Sequence, residues 1–183
     1  MDLRPALQIK TVIKAMLDVV LPAVDPHNKL AQEQARLVIG MLQLLARHLP
    51  LIYRYDRNEL SGLLALANAL QEQARNLPGI EGARHALVTS AEAGSNVLER
   101  ARAEPGELEA ANFDLRERVG ALITEMYSAN DFSSLKHVSE TIAMHSREQL
   151  LRERAWLVSQ GWEANPQTLP AVEELISRAP GGW

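Results

Sequence analysis

Three histidines in this chain lie about one helical turn from a polar partner: His85 after Glu81, His137 before Glu140, and His145 before Gln149. In a helical protein the first chemistry to test for such pairs is metal ligation. Facing helices hold a metal through Glu residues and Glu-x-x-His motifs, a spacing that aims both ligands inward at one point. No Glu-x-x-His occurs here; the nearest approximations are Glu81-x-x-x-His85 and the reversed His137-x-x-Glu140. On a helical wheel His85 shares a side with Glu81 and Glu92, opposite Ala91 and Leu98. His137 and Glu140 fall away from Leu135, Val138 and Ile142. Ligands on a solvated face do not converge, so no metal ligand is assigned and no cofactor is expected.

His145 stands at the edge of an apolar stripe, and Gln149 falls near its middle, between Ile142 and Trp156. An unsatisfied buried donor or acceptor costs about 1–3 kcal/mol. These two side chains therefore read either as internally bonded polar groups or as the polar fixtures of an apolar ligand pocket. Tyr53-Arg54-Tyr55-Asp56 places two aromatics and a charge pair in what reads as an irregular connection. Tyr53 and Tyr55 either plug the end of a bundle with their hydroxyls wet or belong to a binding loop. His145, Gln149, Tyr53 and Tyr55 are the candidate ligand-binding residues. Trp156, Trp162 and Trp183 gather toward the C-terminus, where tryptophan completes a core or meets a partner.

Catalytic residues are not assigned. The chain has no cysteine, which removes disulfides, thiolate nucleophiles and Cys-based metal centres together. A Gly-x-Ser-x-Gly elbow, a phosphate-cradling glycine loop and a dinucleotide fingerprint are all missing. Lys and Arg are interleaved with Asp and Glu at a formal net charge of −4, so no basic stripe tracks a phosphate backbone. Nucleic acid is not an expected partner. The longest apolar stretch, Leu37 to Leu45, is too short to span a bilayer. The N-terminus lacks the pattern of a signal peptide, so a soluble cytoplasmic protein without membrane partners is expected.

The elements that must position these residues are helices. Leu and Ala dominate the apolar fraction, and aromatic residues make up only 4% of the chain, too few for a strand-rich core. Leu49-Pro50, Leu77-Pro78-Gly79 and Glu104-Pro105-Gly106 punctuate the chain at helix-length intervals. Connections that short fold neighbouring helices back antiparallel. The first predicted helix carries Ile9, Val12, Ile13, Met16 and Val20 and is closed by Pro22 and then Asp25-Pro26, with Asp25 also capping the second and Pro26 as its first residue. That second helix is apolar almost all round between Leu37 and Leu45, as a helix is when central in a bundle or buried against a second subunit.

Asp56 and Glu59 predict the next cap, followed by the stripe Leu60, Leu63, Leu64, Ala67, Leu70 and Ala74. A small-residue seam comes next (Ala83, Leu87, Ala91, Gly94, Leu98 and Ala101), and then Leu108, Ala111, Leu115, Val119, Leu122 and Met126. Asn130-Asp131 predicts the start of a long helix that Gly161 ends, and Asn165-Pro166 the start of a short one ending near Arg178. The fold class is all-α: an antiparallel up-and-down bundle of about six main helices plus a short C-terminal helix. Residues 1–178 are expected to form one domain and 179–183 a flexible tail. The expected function is non-catalytic interaction or scaffolding with self-association, as a homodimer. The alternative is a bundle that binds a small apolar ligand between helices, as an enzyme or without catalysis, and the third reading is a metal-dependent bundle using His137 and Glu140 or Glu81 and His85.

Overall fold

A computed structural model describes residues 4–129 and 135–178. Among them no strand occurs, and the fold is an all-α helical bundle. Its helices are α1 (Pro5–Ala15), α2 (Leu21–Ala23), α3 (Lys29–His48), α4 (Ile52–Gln73), α5 (Glu81–Glu99), α6 (Pro105–Ala129), α7 (Lys136–Leu157) and α8 (Val172–Leu175). They gather into two compact units, the first within residues 1–52 and 154–169, the second within 53–153 and 170–183.

The second unit holds the larger core. Leu60, Leu63, Leu66 and Leu70 of α4 are buried with Leu87 of α5 and with Leu108, Leu115, Leu122 and Met126 of α6. Each such side chain contributes roughly 1.5–3 kcal/mol on burial. Directions follow from the pairings. Early residues of α4 meet late residues of α5: Arg57 Nη2 donates to the Leu98 carbonyl, and Leu60 packs over Gly94. The same holds for α7, where Arg152 Nη1 donates to Asn58 Oδ1 at 3.0 Å and Gln73 Nε2 donates to Thr141 Oγ1 at 2.7 Å. Helix α6 runs parallel to α4, since Asn112 Nδ2 donates to the Asp56 carbonyl and Arg116 pairs with Glu59. The four helices alternate up and down, as their short connections require. Helix α8 buries Val172 and Leu175 in this unit, and Asn58 Nδ2 donates to the Arg178 carbonyl just beyond it.

The small-residue seam of α5 explains its fit to α4. A Cβ at Gly94 would lie 3.4 Å from Leu60 Cδ1 and 3.6 Å from Leu64 Cδ2. Only a minimal side chain leaves the two leucines in place.

In the first unit α1 packs on α3 with Ile9, Ile13 and Met16 half-buried, while no residue of α1 is fully buried. The helical run passes Pro22 by one residue and ends at Ala23, before Asp25-Pro26. A wide turn over Met16–Val20, in which the Leu21 N–H reaches back to the Met16 carbonyl, carries the chain on into α2. Proline's ring clashes with the carbonyl one α-turn back, and the widened turn relieves that clash. Asp25 is not the next cap. Its Oδ1 accepts from the His27 N–H, and Asn28 caps α3 instead by accepting from the Ala31 N–H at 3.0 Å.

Two further expectations change. Residues 53–56 are helical, because α4 begins at Ile52 directly after a tight turn at Leu49–Leu51. The C-terminal segment is a 3₁₀ turn, Pro166–Thr168, followed by the separate four-residue α8. Helix α7 runs through a 3₁₀ turn to Gly161, whose φ of 75° supplies the expected left-handed stop. The cap expected at Asn130-Asp131 and the tail 179–183 lie outside the described residues.

Gly94→Val should lower stability by about 1–3 kcal/mol through overpacking against Leu60, whereas Gly94→Ala should stay within about 1 kcal/mol. Urea unfolding of both variants checks this.

Candidate functional site

The four residues singled out from sequence do not form one site. His145 lies half-buried on α7 and lines a cleft with Gly62, Ala65, Leu66 and Ala69 of α4 and with Thr141, Met144 and Glu148. Its volume is about 100 Å³, against roughly 300–1,000 Å³ for pockets that enclose a drug-sized ligand. Gln149 does not line this cleft; its Nε2 donates to Glu153 Oε1 at 2.8 Å. Tyr53 is half-buried against the main core, with the Arg57 guanidinium 6.0 Å from its ring centroid. Tyr55 is half-buried too, and its phenol is pushed up to about 12, by burial first and then by the Glu59 carboxylate. It stays protonated under ordinary conditions. Of the paired histidines, His137 Nδ1 sits 3.2 Å from Glu140 Oε2 on an exposed surface. Among the described residues no group of three His, Asp or Glu side chains is placed to hold a metal.

A polar belt that the sequence reading missed crosses the second unit. Arg152 and Asn58 are buried, Arg152 bonding to Asn58 Oδ1 and Asn58 to the Arg178 carbonyl. Glu59, also buried, is ion-paired to Arg116. The belt fixes the register of α4, α6 and α7, because a buried charge left without its partner is costly. Its signal was faint: Arg152 sits in a charged run that reads as a solvated face.

The first unit carries a different feature. Leu30, Leu37, Val38, Met41 and Leu45 of α3, related by steps of three, four and seven residues, line one face and are all exposed. The opposite side of α3 is used internally through Ile39, while nearer its C-terminus Leu44 and His48, seven residues after Leu37 and Met41, continue the same face and are buried. The His48 ring stacks on Trp156 at 3.8 Å between centroids. Gln160 Nε2 reaches the Gly40 carbonyl at 3.4 Å. Between α3 and the chain after α7 lies a groove of about 610 Å³, walled by Leu37, Met41, Leu44 and Trp162 and rimmed by Glu33, Arg36 and Arg47. Trp162 is 73% exposed. Leu7, Val12, Leu17, Val19 and Val20 add further exposed apolar side chains on α1 and the wide turn that follows it.

Compared with protein-family models, curated proteins and solved structures, the chain matches none.

The geometry favours the first unit over the His145 cleft. The first unit's exposed apolar side chains Leu37 and Met41 lie beside the charges of Glu33, Arg36 and Arg47. The sequence did carry this signal, in the all-round apolar run from Leu37 to Leu45. Among the described residues no single helix is long and apolar enough to cross a membrane.

Burial and then the neighbouring Arg152 charge hold the His145 ring below its ordinary value of 6.5. Between that value and the lower folded-state one, the unfolded chain binds more protons, so stability falls as pH falls. Above 6.5 the contribution is complete. His145→Gln should therefore lose less stability than the parent between about pH 7.5 and about pH 5.5, read from urea midpoints at both ends.

Proposed function

We propose that this protein is a non-catalytic interaction protein that self-associates through the open apolar face of α3. One observation supports this reading above the others: Leu30, Leu37, Val38, Met41 and Leu45 share a face that the rest of the first unit leaves exposed. Apolar surface in water is unfavourable by roughly 25 cal/mol per Å², so a face of leucine, valine and methionine gains by being covered. Among soluble assemblies the two-fold dimer, in which one patch meets itself, is the commonest solution. A stable interface removes about 800 Å² of surface per partner. Trp162, beside Leu37 and Met41 in the groove, adds to the α3 face.

A small apolar ligand is the second reading, and the groove volume of about 610 Å³ is the observation in its favour. Arg36 and Arg47 on the rim would then orient a ligand carrying an acidic end. Native mass spectrometry separates the two readings, since a dimer and a retained ligand differ in mass.

Leu37→Asp and Met41→Asp should each weaken self-association by at least about tenfold, because each places a charge in the middle of the desolvated face. Both side chains are exposed, so the folded protomer should keep its helix content. Light scattering after size exclusion, with circular dichroism as control, reads both outcomes.

A further inference from the structure

Helix α3 carries more than an apolar stripe; it carries charges of opposite sign placed symmetrically along one flank of it. Glu33 lies seven residues before Gly40 and Arg47 lies seven residues after it. Seven residues is close to two helical turns, so both side chains leave α3 on the flank of Leu37 and Met41 that Gly40 occupies. Both rim the groove beside that stripe. Among the described residues no ion pair engages either of them.

We propose that α3 pairs with α3 of a second copy of this chain, antiparallel and about a two-fold axis level with Gly40, so that Glu33 of each protomer meets Arg47 of the other. This rests on the reading that the chain self-associates and specifies how. In an antiparallel pair, like flanks of the two helices come together with their order reversed, and flanking charges select partner and orientation. A residue seven before the axis then faces one seven after it, and symmetry makes the contact twice. The parallel two-fold arrangement puts the Glu33–Arg47 flanks of the two copies on opposite sides of the pair, so that neither charge meets the other there. The stripe itself is compatible with reversal, since Leu37 and Met41 stand on either side of the axis. Trp162, on the rim of the same groove, becomes covered by the second copy.

The test uses the full chain in sedimentation equilibrium with Glu33→Arg, Arg47→Glu and the double variant. Each single change should weaken the dimer roughly tenfold or more by opposing like charges, and the double variant should return to within about threefold of the parent. Because the chain contains no cysteine, cross-linking adds an independent readout. Met41→Cys, close to the axis, should form a disulfide dimer on oxidation, while Leu30→Cys, far from its own symmetry mate, should not. A double variant no better than the singles, singles without effect on an existing dimer, or a Leu30→Cys cross-link would overturn the antiparallel geometry while leaving self-association standing. A parent chain that stays monomeric across micromolar concentrations would overturn both.

Discussion

Helix α3 is apolar around more of its circumference than its own unit covers, and that imbalance leaves apolar side chains in water. Ile39, Leu44 and His48 are buried, the last against Trp156. The residues interleaved with them (Leu37, Val38, Met41 and Leu45) are turned outward. A helix with two apolar faces is satisfied only when something occupies both. Within the first unit α1 contributes half-buried side chains and no fully buried one. Its wide turn at Met16–Val20 keeps the chain helical past Pro22 and leaves Val19 and Val20 exposed as well.

The second unit is built on the opposite principle. Leucine stripes from α4, α5 and α6 close on one another, and Gly94 lets α5 approach Leu60 and Leu64. Polar groups drawn inside are held in a belt, with Arg152 on Asn58 and Arg116 on Glu59. Such a belt adds register more than stability, because the hydrogen bonds chiefly offset the cost of desolvating the charges. The unit thereby turns its leucine stripes inward, while Phe113, Met144 and Leu150 stay exposed.

How much was legible in the sequence differs between fold and site for a physical reason. The helices and the faces that Leu60–Leu70 and Leu108–Met126 bury follow from three- and four-residue spacing, which any amphipathic helix must show. Helix ends were less readable. Asp25 and Asn28 are both good caps, and only the turn that Asp25 makes with the His27 N–H assigns the role to Asn28. Pro22 reads as a terminator, yet a widened turn accommodates it. The site residues were harder still, because spacing along one helix says nothing of what the next helix places opposite. His145 meets Gly62 across a shallow cleft, while Gln149, one turn further on, bonds within its own helix to Glu153. Tyr53 and Tyr55 were read as loop residues because Pro50 precedes them, although the chain needs only one tight turn before α4 begins.

The most direct test of self-association through α3 is hydrogen–deuterium exchange followed by mass spectrometry across a dilution series. Peptides covering Leu30 to Leu45 should exchange more slowly as protein concentration rises, while peptides from the core of α6 should not change. Exchange in α3 that is independent of concentration, in a range where the chain reaches high micromolar levels, would contradict the account.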